Sequence, residues 1–263
     1  MKLMVALVVG ALFAIAQDPP PTTPPPAAPP APPSQGSPKV EFTCTPEDVE
    51  AFGLTCSAEE PCAVFLELSA VDSIAGRIFL AGNLHTTTTT LFGLLLISED
   101  GGSNWKEPGQ RIRYGSFEQI QFLDLEYGWI SGHVNQPLPR DPFLLQTTDG
   151  GKSWRAHPVF DDTHYGSVQQ FWFESRTAGQ LIVTREQGGK TRNELMESMT
   201  GGDSWNPKEV SDKALQLKKS RPPGESIWRV RADAPTKTLR VERRGADKWE
   251  PVAVFSIQAG ECR

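Results

Sequence analysis

The segment SEDGGSNW at residues 98–105 has a near copy, TTDGGKSW, at residues 147–154. Both copies combine a hydroxyl residue, an acid, a pair of glycines and a closing tryptophan. Weaker copies follow as SMTGGDSW at 198–205 and ERRGADKW at 242–249. The closing tryptophans are separated by 49, 51 and 44 residues, which indicates a structural repeat of about four units.

A second marker keeps step with these turns. Gly76, Gly128, Gly179 and Gly224 precede the four tryptophans by 29, 26, 26 and 25 residues. Short apolar or alternating segments rich in β-formers, such as RIFLAG and LIVTR, lie between the markers and are separated by turn residues. Helical periodicity is confined to PEDVEAF at 46–52. The pattern predicts an all-β fold, a small β-propeller of about four blades with about four antiparallel strands each.

The first two turns resemble the Asp-box of the bacterial-neuraminidase repeat, whose pattern is Ser/Thr-x-Asp-x-Gly-x-Thr/Ser-Trp. The segment IQFLDLEYGWISG looks like the companion signature of photosystem II assembly factor-like repeat proteins. This resemblance covers roughly residues 63 to 258, although Asn104 and Thr200 depart from the pattern. It implies structural hairpin turns between the third and fourth strands of each blade. The turn residues it assigns are Ser98, Asp100, Gly102, Trp105, Thr147, Asp149, Gly151, Trp154, Ser198, Gly202, Trp205 and Trp249.

The residue types in these turns explain a structural role. Asp100 and Asp149 can accept hydrogen bonds from their own turns, glycine permits positive φ, and each tryptophan buries a large ring. A catalytic or calcium-binding role is the alternative. One acid per turn falls short of the roughly six oxygen ligands that calcium takes, so we predict no metal site and no cofactor.

The N-terminal region predicts export. Residues 1–16 have the charged, apolar and small-residue order of a signal peptide, and residues 17–38 form a proline-rich disordered linker. A Cys-containing segment, 39–62, precedes the propeller at 63–263. We therefore expect a secreted or periplasmic protein with no membrane span in the mature chain, while an uncleaved N-terminal anchor is the alternative.

The four cysteines predict two disulfides in an exported chain. Cys62 precedes the first strand and Cys262 follows the last, so we predict that they pair and close the ring, as in the similar four-bladed hemopexin-like propellers. Cys44 would then pair with Cys56. The rival pairing, Cys56 with Cys62 and Cys44 with Cys262, also closes the ring.

Two loops are longer than a blade requires, and both follow the second strand of a repeat. They predict a polar rim on one face as the candidate ligand site. Its residues are Asn83, His85, Asn135, Gln136, Arg140 and Asp141. The net charge of −6 and a pI near 5.3 argue against nucleic acid, so a protein or a glycan is the expected partner.

The function predicted from these features is an exported binding or assembly module that is not an enzyme. The alternative is a degenerate carbohydrate-active enzyme, either a glycosidase or a sialidase-like protein. Membership in the sialidases would imply an Arg-Ile-Pro motif and a tyrosine nucleophile, but RIF stands at residues 77–79, and tyrosine occurs at only three positions, Tyr114, Tyr127 and Tyr165.

Overall fold

The fold is all-β, in agreement with the sequence-based prediction. The computed structural model describes residues 38–134, 141–159, 166–187, 189–217 and 227–263. Within these ranges, no helix has the length and hydropathy that a bilayer span requires. The signal segment and all but the last residue of the linker lie outside the described residues, so both remain predictions.

A single helix and seventeen strands make up the regular structure of the described residues. The helix is α1 (Pro46–Ala51), which begins after the N-cap residue Thr45. In chain order the strands are β1 (Phe42–Thr43), β2 (Cys62–Ile74), β3 (Arg77–His85), β4 (Thr90–Ser98), β5 (Ile112–Arg113), β6 (Gly115–Phe122), β7 (Gly128–Val134), β8 (Asp141–Thr147), β9 (Arg155–Pro158), β10 (Ser167–Phe173), β11 (Gly179–Gln187), β12 (Lys190–Ser198), β13 (Asn206–Ser211), β14 (Trp228–Asp233), β15 (Thr238–Arg244), β16 (Trp249–Ser256) and β17 (Gln258–Cys262).

The strands form four sheets that follow one another along the chain, as in a small β-propeller. The first sheet has the order β1-β17-β2-β3-β4-β5, the second β6-β7-β8-β9, the third β10-β11-β12-β13 and the fourth β14-β15-β16. The expected four strands per sheet therefore hold for the second and third sheets. The first sheet has six because the two chain ends add β1 and β17, and the fourth has three described strands.

Apolar side chains fill the spaces between successive sheets. One cluster joins the fourth sheet to the first, another joins the first to the second, and a third joins the second to the third. Phe79 stacks on Phe122 with ring centroids 3.6 Å apart, and Trp129 stacks on Phe173 at 4.0 Å. Strand β3 is buried along nearly its whole length, which explains why it reads as a nearly continuous apolar run.

Buried side-chain hydrogen bonds also link the sheets, and they repeat with the sequence period. Asp72 Oδ2 accepts from Phe122 N at 2.7 Å, and Gln121 Oε1 accepts from Phe173 N at 2.9 Å. The two acceptors are 49 residues apart and the two donors 51 apart. The same spacings separate the first three turn tryptophans, so the sequence repeat coincides with a repeated contact between sheets.

The disulfides correct the predicted pairing. Cys62 and Cys262 are directly opposite each other in the β2–β17 ladder, so their expected proximity is confirmed. Nevertheless, Cys44 bonds to Cys262 and Cys56 bonds to Cys62, which is the rival pairing. The reason is the short strand β1, which runs parallel to β17 and brings Cys44 beside Cys262 from the other side. The prediction omitted this strand because it has only two residues.

Candidate functional site

The first strands of neighbouring sheets contact one another inside the fold: β14 contacts β2, β2 contacts β6, and β6 contacts β10. Among the described strands, none pairs with the outer edges of β6 and β10, and β2 pairs with β17 over residues 62–65. Polar side chains on these strands nevertheless reach solvent. Glu67 and Gln169 are exposed, and the side chain of Glu118 is 32% exposed. Exposed positions on these first strands therefore carry acids and amides.

A β-bulge recurs at a corresponding position on β2, β6 and β10. The ladder shifts between Leu68 and Ala70, between Phe117 and Gln119, and between Val168 and Gln170. The extra residues are Ser69, Glu118 and Gln169, which are again 49 and 51 residues apart. A bulge leaves its extra residue outside the ladder and turns its side chain in a new direction, and it is common next to active sites. In the second sheet that side chain is a carboxylate.

Asn83 connects the first and second sheets. Its Nδ2 donates to Phe117 O at 3.0 Å, and its Oδ1 accepts from Phe117 N at 2.7 Å. The same Nδ2 lies 3.3 Å from Glu67 Oε2, to which it also donates. Asn83 therefore bonds to the side chain of Glu67. It also bonds to the backbone of Phe117, the residue that precedes the second glutamate, Glu118. We call Glu67, Asn83, Glu118 and His133 the axial site.

His133 completes this group from strand β7. Its Nδ1 lies 3.0 Å from Glu118 Oε1, although the angle is too poor for a hydrogen bond, so the contact is an ion pair only when the imidazole is protonated. Ser131, two residues earlier on the same face, is fully buried, and its Oγ has no hydrogen-bond partner. Among the described residues neither of these two buried atoms has a hydrogen-bond partner, and such groups in a native structure call for an explanation.

The groups of the axial site are those that sugar chemistry uses. A glycosidase needs one carboxyl group that protonates the leaving oxygen and one that acts as a base or nucleophile. Glu67 on β2 and Glu118 on β6 are the candidates for such a pair, and Asn83 donates a hydrogen bond to the first of them. Within the described ranges, no three His, Cys, Asp or Glu side chains are grouped so that they could hold a metal ion.

The predicted polar rim is corrected in part. Asn83 is only 3% exposed and bridges two sheets, so it is no surface residue. His85 Nδ1 lies 2.8 Å from Thr86 O, and its ring packs against Phe65 with centroids 5.9 Å apart. Asn135, Gln136 and Arg140 lie outside the described residues, and Asp141 belongs to β8 with its side chain not described. The rim as a whole therefore remains a prediction.

The two most complete glycine turns form nearly identical hydrogen bonds. Ser98 Oγ donates to Asp100 Oδ1 at 2.9 Å and accepts from Gly102 N at 2.8 Å. Thr147 and Asp149 repeat both bonds in the second turn, where Gly151 N is the donor to the threonine hydroxyl at 2.8 Å. These bonds lie within each turn, and the structural interpretation of the turn residues remains a prediction.

The two departures from the turn pattern are accommodated. Asn104 Nδ2 donates to Asp100 Oδ2 at 2.6 Å, which replaces the bond that Ser153 Oγ makes to Asp149 Oδ2 at 2.6 Å. In the third turn the hydroxyl of Thr200 takes the place of the acid and accepts from Ser204 N at 2.9 Å. Asparagine and threonine therefore preserve the hairpin, because each supplies the missing donor or acceptor.

The hydrogen bonds alter the acidity of both turn aspartates. Bonds from the backbone N–H of Asn104, then from its side chain and from Ser98, lower the pKa of Asp100 to about 2. Burial acts to raise the pKa of Asp149, but hydrogen bonds from Ser153, Thr147 and Lys152 outweigh it and lower that pKa. Both carboxylates are ionised acceptors at neutral pH, which suits a turn better than a proton donor.

The fourth turn does not have this geometry, which corrects the assignment of Trp249. Gly245 N donates to Lys248 O at 2.8 Å in a short hairpin between β15 and β16. Its φ is not positive, unlike those of Gly102, Gly151 and Gly202 at 100°, 89° and 106°. Trp249 lies against the guanidinium of Arg229, whose Cζ is 4.3 Å from the ring centroid.

A concave region lies at the glycine-turn end of the first two sheets. This cleft has a volume of about 710 Å³ and is lined by charged side chains of both signs, among them Arg77, Glu99, Lys106, Glu126 and Lys152. Arg77 and Lys106 both pair with Glu99, at 2.7 and 2.9 Å. Those pairs lower the pKa of Glu99, with the hydrogen bond from Lys106 as the largest cause. The charges there largely neutralise one another.

Comparison with solved structures gives the fold alone. The chain is similar to a polysaccharide lyase of family PL25, an ulvan lyase bound to -[GlcA(1-4)Rha3S]-, at 10% identity and a TM-score of 0.44, over 79% of this chain and 55% of that one. A second ulvan lyase structure gives 10% identity and 0.43, over 75% and 52%. Zg3597, a family 117 glycoside hydrolase from Zobellia galactanivorans, gives 10% identity and 0.42, over 84% and 75%. The chain thus spans about half of each lyase chain.

No protein-family model and no curated protein matches the sequence. None of the three structures is described as an Asp-box or photosystem II assembly factor-like protein, so that resemblance stays a prediction. The prediction that the chain is not an enzyme is wrong against this comparison, because all three structures are named as carbohydrate-active enzymes. The absence of a catalytic centre is therefore withdrawn.

Proposed function

We propose that this chain is an exported carbohydrate-active protein that hydrolyses a glycosidic bond at its axial site. The observation that carries the proposal is the buried Asn83, which bonds to the side chain of Glu67 on β2 and to the backbone of Phe117, the residue before Glu118 on β6. A buried amide side chain lowers the stability of the fold unless both its oxygen and its nitrogen are hydrogen-bonded. Here Asn83 is satisfied on both of its polar atoms, so the arrangement is rigid.

The environments of the two acids assign their roles. Glu67 is exposed and accepts from Asn83, so its carboxylate serves as the base or nucleophile. Glu118 is less exposed, lies against His133 and serves as the acid. In hydrolysis Glu118 gives a proton to the leaving glycosidic oxygen as the carbon–oxygen bond breaks. Water supplies the new hydroxyl group and returns a proton to the pair.

Export follows from the N-terminal region and agrees with the disulfides. We assign residues 1–16 as a signal peptide, 17–38 as a linker and 39–62 as a segment stapled to the first sheet. Two disulfides in one small domain are typical of proteins that work outside the reducing cytosol. The site of action is therefore a secreted or periplasmic one, where polysaccharides are the available substrates.

The test is a substrate panel with the purified mature protein. Neutral and acidic polysaccharides are incubated with the wild type, and new reducing ends are measured together with binding by calorimetry. The proposal expects new reducing ends on at least one polymer. Binding without any turnover would contradict it and restore a pure binding module. A product with a new carbon–carbon double bond would also contradict it, since that is elimination and not hydrolysis.

A further inference from the structure

The fourth sheet has two chemically different faces. Side chains from alternate positions, including Leu239, Val241 and Phe255, pack into the apolar cluster shared with the first sheet. Because alternate residues of a strand point to opposite sides, the other positions form a second face. That face carries Arg229, Arg231, Asp233, Arg240 and Glu242. A sheet that is apolar on one side and lined with arginine on the other presents a charged surface.

Two of these arginines are directly opposite each other. Arg231 and Arg240 are register partners in the antiparallel ladder of β14 and β15. Like charges at such a position have Cβ atoms roughly 5 Å apart and destabilise a sheet. The pair between Arg240 and Asp233 offsets part of that penalty, and an anion bound between the two arginines would offset more of it. The arrangement is therefore a cost for the free protein that a ligand of opposite charge would relieve.

The acids on this face neutralise only part of its charge. Glu242 pairs with Arg229 at 2.6 Å, and Asp233 pairs with Arg240. Arg231 is exposed and has no acidic partner among the described residues. Arg229 and Arg240 each remain 38% exposed despite their pairs. Three guanidinium groups are thus accessible on one surface, and one of them is uncompensated.

The charge of this region opposes that of the whole chain. Residues 227–256 contain seven lysines and arginines against four acids, whereas the full chain has a net charge of −6. Trp249 adds a half-buried aromatic ring beneath Arg229, which holds that guanidinium in place. The local positive charge attracts an anion to this surface, and the acidic remainder of the molecule restricts the attraction to this face.

We propose that this arginine face, defined by Arg229, Arg231 and Arg240, binds an acidic polysaccharide through its carboxylate or sulfate groups. The planar fork of arginine matches both anions bidentately. This inference rests on the proposed function for the polysaccharide class, and it adds a binding surface separate from the axial site. An enzyme with such a surface remains attached to its polymer while the axial site acts.

The experiment measures retention on a carboxylated polymer, polygalacturonate, and on a sulfated polymer, dextran sulfate, with neutral dextran as the reference. The wild type is compared with Arg231→Gln, Arg240→Gln and the double variant at low and high salt. We expect the double variant to bind about tenfold more weakly, and wild-type binding to weaken as salt is added. The stronger of the two acidic polymers identifies the anion.

The matched control is Arg155→Gln, because Arg155 is an exposed arginine of the second sheet with a side chain 68% exposed. An equal loss in that variant would show a general charge effect and overturn the site. The proposal would also be overturned if the wild-type protein were retained on neither acidic polymer, or if it bound single-stranded DNA of similar charge more tightly than either polymer. Glu118→Gln should lose turnover and keep retention, so a failure of the axial site and a failure of the arginine face are told apart.

Discussion

The side chain of Asn83 and the backbone of Phe117 exchange two hydrogen bonds, at 3.0 and 2.7 Å, across the space between the first and second sheets. The side chain of Gln121 likewise exchanges two hydrogen bonds with the backbone of Phe173, at 2.8 and 2.9 Å, between the second and third sheets. The two amides are both buried, but only Asn83 also contacts a glutamate of the axial site. This difference separates a structural role from a positioning role.

Replacing either amide with alanine should destabilise the fold, because each change leaves a buried backbone N–H and C=O unpaired. We expect a loss of about 2 to 4 kcal/mol in the free energy of unfolding for both Asn83→Ala and Gln121→Ala, measured by urea denaturation. Turnover at a temperature where both variants are folded should fall only in Asn83→Ala. Equal activity in the two variants would show that Asn83 does not position Glu67.

Removing the two disulfides should have unequal effects. Cys44 and Cys262 are 218 residues apart, whereas Cys56 and Cys62 are 6 apart. In the chain-entropy model the Cys44–Cys262 bond adds about 5 kcal/mol to the free energy of unfolding, and the Cys56–Cys62 bond adds about 2 kcal/mol. Paired serine substitutions and thermal unfolding measure the order. A larger loss from the short pair would mean that the ends of the ring are held by other contacts.

Peptide mapping without reduction checks the connectivity itself. The structure predicts one peptide that joins Cys44 to Cys262 and another that joins Cys56 to Cys62. A peptide that joins Cys62 to Cys262 would reinstate the pairing expected from sequence, since those residues are also neighbours in the sheet.

Lowering the pH should remove the contribution that Asp100 of the first glycine turn makes to the stability of the folded state. The folded pKa of Asp100, about 2, is lower than its ordinary value of 3.8, so its ionised form stabilises the folded state. That stabilisation is complete above about pH 4 and is lost as the pH falls through about 2. The difference in melting temperature between wild type and Asp100→Asn should therefore narrow over this interval.

The control for this pH dependence is Asp247→Asn, which removes an exposed acid from the fourth turn. Its melting temperature should follow the wild type at every pH. If the Asp100→Asn difference stays constant from neutral pH down to about pH 2, the bonds to Asp100 do not favour its ionised form.

Regular features of the chain could be predicted from its sequence, and local exceptions could not. The spacing of Trp105, Trp154 and Trp205 indicated the repeat because each tryptophan closes a turn with its own hydrogen bonds. The fourth turn was assigned with them, yet Trp249 lacks the preceding hydroxyl and the positive-φ glycine that define the geometry. A tryptophan at the right spacing is insufficient when the turn residues change.

The axial site escaped prediction for a different reason. Glu67 and Glu118 are 51 residues apart and lie in segments that read as ordinary strands. Their relative placement depends on the packing of β2 against β6 and on a one-residue bulge. One signal was available: Ser69, Glu118 and Gln169 repeat with the tryptophan spacing and are polar within apolar strands.

The rate of glycoside hydrolysis by the Glu118→Gln variant tests whether Glu118 is the acid of the axial site. The change is nearly isosteric and removes only the capacity to donate and accept a proton, so we predict a loss of roughly 10² to 10⁴ in turnover with the fold intact. Glu126→Gln, an exposed glutamate at the opposite end of the sheets, should retain wild-type turnover. Hydrolysis by Glu118→Gln at the rate of the Glu126→Gln control would contradict the assignment of the axial site.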